Sequence, residues 1–414
     1  MAPGVPRPTV GVEEEFLLVD PGEARPVPAA PHVLRLLAGT AGLQPELMRY
    51  QIEANTPVCT GLGELQDELT GLRGRLAGAA AALGCRLVAT GVAPVRPADP
   101  ITLSDSPRYH ALAQRYPALT AVSGTCGCHV HVGVPDRDTG VAVLARLRPW
   151  LPLLLAVSAN SPIENGRDSG WASRRYRNVS RWPTGRAPAV WRDAGRYDAC
   201  VRRLIQRGAA LDERSVYFLA RLSPRYPTVE IRVADVCLDV GTAVLVAALI
   251  RALVATALAA GRHEPAPPVP RHRVEAALTA AARHGLTGAG VDPPTGAGVP
   301  HRRLLDRLLN HVEPALDALG DRALTEVLVR RLDTGGTGAQ RQRAVWAAHG
   351  PAAYADLMAA ATVAVPGDRR VDGEPPDPPA GRALSVGPHP RSGQGRKARP
   401  EAAVSGPGTV RAGG

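Results

Sequence analysis

Apolar and polar positions alternate with a period of two in several short stretches of the first 239 residues, and helical-period stretches separate them. Thr9 to Val19 reads as a strand closed by Asp20-Pro21-Gly22, and Cys126 to Val134 as another closed by Pro135-Asp136. Arg86 to Gly91, Tyr217 to Leu222 and Thr228 to Val233 are further strands, the last two joined by a Ser-Pro-Arg-Tyr-Pro turn. Leu62 to Leu83 and Val143 to Ala159 carry a helical period. Beyond Asp239 the pattern changes: Val240 to Gly261, Arg271 to His284, Pro300 to Leu319 and Asp321 to Leu332 all predict helices, and no strand is expected. The fold class is therefore α+β, with a mainly antiparallel sheet and helices packed against one side. Residues 8–239 form the sheet-containing portion, and residues 240–365 a helical portion completing the same domain. Residues 366–414 are rich in Pro, Gly and Arg without a hydrophobic period, which predicts a disordered tail.

Side chains at i and i+2 of a strand share a face, and here the alternation carries chemistry. In Val10-Gly11-Val12-Glu13-Glu14-Glu15-Phe16-Leu17-Leu18 one face holds Val10, Val12, Phe16 and Leu18, and the other Gly11, Glu13 and Glu15. Two carboxylates about 6–7 Å apart repel and raise each other's pKa unless a cation lies between them. A solvated edge strand explains that pair equally well when it is taken alone. Glu14 falls on the core side and is not assigned to the site. Glu53 opposes Ile52 and Ala54, Glu230 and Arg232 oppose Val229, Ile231 and Val233, and His129 and His131 share a face with Gly127 and Gly133. A repeat of the pattern on four strands predicts one sheet face lined by Glu13, Glu15, Glu53, His129, Glu230 and Arg232. Carboxylates with an imidazole suit Mg²⁺ or Mn²⁺, hard cations that bridge phosphate oxygens.

Composition narrows the alternatives. The net charge of +11 invites a nucleic-acid partner. Arginine supplies nearly all of it, the basic residues are scattered, and aromatics make up only 4%, so no nucleic acid is expected. The apolar run from Ala243 to Ala260 contains Arg251 and reads as a buried helix, not a membrane span. With no secretory signal at Met1 to Pro8, the six cysteines are expected to be reduced thiols and the protein cytoplasmic. Cys126 and Cys128 face away from the two histidines, which argues against a zinc site. Lys397 is the sole lysine, so the core offers no P-loop or Schiff-base lysine. Phosphates would be held by metal, backbone amides and arginines. Two segments offer such arginines: the loop from Ser161 to Gly185, which includes Arg181, and the turn Gly335-Gly336-Thr337-Gly338-Ala339-Gln340-Arg341, which runs into a helix start.

Seven motifs then occur in order: Gly11-Val12-Glu13-Glu14-Glu15-Phe16, Glu53-Ala54-Asn55-Thr56-Pro57, His129-Val130-His131-Val132-Gly133, Ser158-Ala159-Asn160-Ser161-Pro162, Gly166-Arg167-Asp168, Ser180-Arg181-Trp182-Pro183-Thr184 and Thr228-Val229-Glu230-Ile231-Arg232-Val233-Ala234-Asp235. Over about residues 8 to 360 the chain resembles the bacterial carboxylate–amine ligases, the second type of glutamate–cysteine ligase. The resemblance implies a glutamine-synthetase-like catalytic fold, an antiparallel sheet forming a half-open funnel. It also implies ATP, Mg²⁺ (Mn²⁺ as a substitute) and amide formation from a glutamate-like carboxylate and a cysteine-like amine. The implied metal ligands are Glu13, Glu15, Glu53, His129 and Glu230. Arg232 would face the transferred phosphoryl group or the substrate carboxylate, Arg181 could share that work, and Arg341 with Arg232 would contact nucleotide. A homodimer is a further expectation. Ile163-Glu164-Asn165 and Arg174-Arg175-Tyr176 depart from the family pattern in the region expected to receive the amine, so the resemblance leaves the acceptor open.

Overall fold

The computed structural model describes residues 6–98, 102–121, 124–261 and 263–365; the expected tail lies outside them. The central sheet is antiparallel throughout. Its strands are β1 (Val10–Val19), β2 (Leu43–Pro45), β3 (Gln51–Asn55), β4 (Arg86–Val88) and β5 (Gly127–Gly133), followed, after the small hairpin of β6 (Ile163–Glu164) and β7 (Arg167–Asp168), by β8 (Ala220–Leu222) and β9 (Thr228–Asp235). They lie in the order β2-β3-β1-β5-β9-β8, with β4 pairing the far end of β1. β1 is central because it is long enough to pair with three strands: β5 through residues 10–14, β3 through residues 13–17 and β4 through residues 17–19.

The alternation read from the sequence sets the two faces. Val10, Val12, Cys128, Val130, Val132, Val229 and Ile231 are buried in one core cluster together with the helices that cover that face. Chief among these is the helix Val240–Ala259, apolar all round and therefore buried all round, capped by the Asp239 carboxylate accepting from Thr242 N at 2.8 Å. It and the segment Arg137–Ser158 are long and apolar enough to cross a membrane, but both are mostly buried within the protein. Arg251, in the middle of the first, donates to the carbonyls of Pro8 (2.9 Å) and Thr60 (2.6 Å) and pairs with Asp321 at 2.8 Å. That arginine ties the start of β1 to the C-terminal helices His301–Leu319 and Arg322–Gly335, which pack on the same helix.

Three expectations need correction. The single helix from Val143 to Ala159 is two, Arg137–Leu147 and Leu151–Ser158, because Pro149 and Pro152 force a 3₁₀ turn between them. The region after Asp239 does contain strands, the hairpin β10 (Ala289–Val291) and β11 (Gly298–Pro300); three-residue strands are too short to show a period. The helix Ala194–Gln206, capped by Asp193, was not anticipated.

Glu14, the odd acid of β1, is almost fully buried and forms a bidentate pair with Arg73 of the helix Leu62–Ala82, at 2.9 Å and 2.5 Å. Arg73 also donates to the carbonyls of Cys237, Leu238 and Thr362, so one guanidinium joins β1, the exit of β9 and the last helix, Gly338–Thr362. Arg73→Leu would strand the Glu14 charge and three carbonyls in the core. It should lower the unfolding free energy by about 3–5 kcal/mol, read from urea denaturation monitored by circular dichroism.

Candidate active site

The other face of the sheet opens into a cavity of about 770 Å³. Strand register decides what lines it. Glu13 lies opposite His129 on β5 and Asn55 on β3, Glu15 opposite Glu53, and His131 opposite Glu230 on β9. Directly opposed residues point to the same face. Register alone therefore gathers Glu13, Glu15, Glu53, His129, His131 and Glu230, and Arg232 lines the same cavity. Between Cys128 and Val130 the pairing with β9 shifts by one residue, a bulge opposite His129. The bulge resets the alternation so that Asp235, paired with Gly127, shares the face of Glu230 and Arg232.

Five carboxylates fall into two groups. Glu13, Glu230 and His131 offer ligand atoms within 4.8 Å of one another, and so do Glu15, Glu46 and Glu53. His129 stands between them: its Nδ1 is 3.3 Å from Glu13 Oε2 and its Nε2 is 3.9 Å from Glu15 Oε1. Arg232 donates to Glu230 and, at 3.3 Å, approaches His129 Nδ1. Arg221 of β8 grips Glu230 through two bonds of 2.8 Å and 3.1 Å. Below His129 the chain approaches so closely that a Cβ on Gly127 would meet Arg175 Nη2 at 2.3 Å, while the Gly127 amide donates to Glu15 at 2.7 Å. A side chain at position 127 would displace the Arg175 guanidinium and crowd His129 Nε2, 2.9 Å from the same Cβ.

Electrostatics separate the two groups. Burial pushes Glu13 up, but the imidazoles of His129 and His131 outweigh it and hold Glu13 far below the usual carboxylate range. Glu230 is buried as well, and Arg221 and Arg232 hold it well down. Burial drives His129 down to about 3, assisted by Arg232, so its ring is neutral and able to act as a ligand. In the second group burial dominates. Glu15 rises to about 7 despite Arg175, with Glu53 adding to the rise, and Glu46 and Glu53 are raised as well, each by burial first and then by neighbouring carboxylates.

These features fit divalent cations. His129 Nε2 is buried without a hydrogen-bond partner, and His131 Nε2 lies 3.2 Å from Glu13 Oε1 while Thr228 Oγ1 engages its Nδ1 at 2.9 Å, so both rings turn Nε2 toward the acid groups. Three crowded carboxylates with raised pKa values are what a hard cation relieves.

The sequence-derived residues Glu13, Glu15, Glu53, His129, Glu230 and Arg232 are thus brought together. Arg181 and Arg341 are not. Arg181 is exposed on the turn after the helix Arg174–Val179 and does not line the cavity. Arg341 pairs with Asp239 at 2.6 Å and does not line the cavity, so the start of its helix, whose Thr337/Gln340 capping box fixes it, is docked against another helix start. Strand periodicity missed Glu46, which sits in the turn between β2 and β3. It also favoured His129 over His131, although both lie on one face and register with Glu230 singles out His131.

An antiparallel sheet with one face under helices and the other carrying two acid groups and arginines is an α+β fold with one open, charged face. A sequence profile of the glutamate–cysteine ligase family 2 matches residues 9–358, and the chain belongs to that family. A Nocardia farcinica protein with the provisional name glutamate–cysteine ligase 2-1 is 47% identical over 363 residues, covering 86% of this chain and 94% of its own length. A Mycobacterium sp. (strain KMS) protein with the provisional name glutamate–cysteine ligase 2-2 is 45% identical over 364 residues, covering 86% and 99%. Among solved structures, the glutamate–cysteine ligase of Francisella tularensis, determined in complex with AMP, superposes with a TM-score of 0.60 at 14% identity, covering 86% of this chain and 87% of that one. A bifunctional glutathione synthetase from Pasteurella multocida gives 0.62 at 14% identity over 86% of this chain and 52% of that one. At such identity the likeness establishes the fold.

Because Glu15 keeps its proton up to about 7 and its neighbours are shifted the same way, cation binding must displace protons. Mg²⁺ affinity should rise with pH through about 6 to 8, with net proton release. Calorimetric titrations in buffers of different ionisation enthalpy measure that release, and Glu46→Gln should reduce it.

Proposed function

We propose that this chain is an ATP-dependent carboxylate–amine ligase that forms an amide through an acyl-phosphate, with a glutamate-like carboxylate as donor and a cysteine-like amine as acceptor. The observation that carries the reading is the convergence of two acid groups, the imidazole rings of His129 and His131, and Arg232 on one face of one cavity. Glu13, His131 and Glu230 would hold one Mg²⁺, and Glu15, Glu46 and Glu53 a second, with His129 between them. Bound there, Mg²⁺ supplies charge neutralisation for the triphosphate and for the carboxylate that attacks it.

The chain's own groups do the rest. Arg232, fixed by Glu230 and unable to lose its proton, presents a guanidinium to the equatorial oxygens of the transferred phosphoryl group. Arg221 clamps Glu230 from behind, so that this carboxylate is oriented before any ligand arrives. In the first step a carboxylate oxygen of the donor attacks the γ-phosphorus, and the bond to the β,γ-bridging oxygen breaks with release of ADP. In the second the amine nitrogen attacks the acyl carbon and inorganic phosphate leaves. The amine must lose a proton, and the neighbouring acid groups offer acceptors for it. Such a reaction depends on position and charge, which suits a core without lysine.

The rival within the same fold is a kinase that stops at the phosphorylated carboxylate or guanidine. ADP release measured with L-glutamate alone, then with L-cysteine and a panel of other amines added, separates the two: a ligase should release ADP at sustained rates only when both partners are present. Glu→Gln at position 13, 53 or 230 should cut Mg²⁺-dependent ADP release at least about a hundredfold with far-ultraviolet circular dichroism unchanged. Near-normal turnover in all three would remove the metal-site assignment.

A further inference from the structure

The two acid groups of the cavity are not built in the same way. Glu13, His131 and Glu230 stand on paired strands, so register alone brings them together. Glu15 and Glu53 are likewise opposed on β1 and β3. Glu46 is the exception. It sits in the turn between β2 and β3, where no strand pairing fixes the direction of its carboxylate. The second group therefore needs a further element to hold its third member.

The helix Pro107–Arg115 meets that need. The Tyr109 hydroxyl donates to Glu46 Oε2 at 3.2 Å. The chain entering this helix is bonded to the chain leaving Glu46: Ser104 N donates to Leu47 O at 2.9 Å, and Arg49 N to Thr102 O at 3.0 Å. Leu112, buried in one core cluster with Leu47, Met48 and Tyr50, makes helix and turn a single body. Arg108, the residue before Tyr109, reaches the other way. Its guanidinium donates to Asp212 at 2.8 Å and 3.1 Å and to Ser215 Oγ at 2.9 Å. Asp212 caps the 3₁₀ turn Glu213–Ser215, accepting from Ser215 N at 2.8 Å. The carbonyls of Glu213, Arg214 and Val216 in turn accept from Arg221, the arginine of β8 that grips Glu230. β2 and β8 stand at opposite ends of the strand order. Two neighbouring residues of one helix thus join what hangs from one edge of the sheet to what hangs from the other, and both line the cavity between.

We propose that this helix is a strap that completes the second cation group: Tyr109 positions Glu46, and the Arg108–Asp212 pair is the clasp that holds Tyr109 in place. The assignment rests on the ligase reading above and adds an order to it. The group built on strands is ready for its cation, whereas the other is complete only while the strap is fastened. The clasp is suited to release. Its two side chains are 22% and 36% exposed, against 0% and 1% for the Arg73–Glu14 pair. An ion pair so open to water contributes little to folding. Breaking it therefore acts on the position of Glu46 and leaves the fold intact.

The test titrates Mn²⁺ into the full chain and follows the free ion by electron paramagnetic resonance. Wild type should bind two ions, one more tightly than the other. Tyr109→Phe keeps the ring and removes the hydroxyl, and Asp212→Asn keeps a capping residue and removes the charge. Each should weaken the second ion by roughly tenfold and leave the first within about twofold of wild type. Arg108→Gln combined with Asp212→Asn should lose no more than either single variant, because both break the same clasp. Two ions bound with wild-type affinity in Tyr109→Phe or in Asp212→Asn would overturn the strap. Equal losses of the two ions would overturn it too, and so would losses that add in the double variant. Wild-type protein that bound one ion or none would remove the two-cation reading itself, and the strap with it.

Discussion

Like charges crowded onto one sheet face are the constraint around which this molecule is organised. Glu13, Glu15, Glu46, Glu53 and Glu230 meet in one cavity, and only Glu13 and Glu230 have partners enough to stay ionised. The protein pairs the acids of one group with imidazoles and guanidinium groups and leaves those of the other to share protons. Such an arrangement costs stability until a cation arrives, and the cost is what makes the cation bind. The strained electrostatics are local because register fixes them: a slip of one residue between β1 and β5 would send Glu13 and Glu15 into the core and Val12 into the cavity.

Holding register against that repulsion falls to the opposite side. The apolar positions of β1, β5 and β9 are buried under the helix Val240–Ala259, and two buried arginines, Arg73 and Arg251, fasten strand ends to distant helices through carbonyl and carboxylate acceptors. Each guanidinium spans contacts that no single apolar side chain could make. The helical C-terminal portion thus braces the sheet that carries the chemistry.

Much of this was legible in the sequence, for a physical reason. Strand alternation is a strong signal when one face is apolar and the other acidic, so Glu13, Glu15, Glu53, Glu230 and Arg232 could be placed together before any coordinates existed. The same signal correctly separated Glu14 from its neighbours. Where the logic is not periodic it failed. Glu46 sits in a turn and answers to no alternation, and β10 and β11 are too short to show one. The choice between His129 and His131 depends on inter-strand register, a property of pairs of segments. Arg181 and Arg341 were inferred from arginine-rich loops, and an arginine in a loop has many anions to choose from: Arg341 found Asp239.

The chain has one lysine, Lys397, and among the described residues the Lys and Arg side chains that line the cavity are all arginines. Guanidinium groups keep their charge across the biological pH range, whereas an ammonium in so dry a setting would be prone to shed its proton. The positive half of the site is therefore a fixed background. The protein's own contribution to a pH profile therefore comes from the carboxyl groups of the cavity, Glu15 first among them.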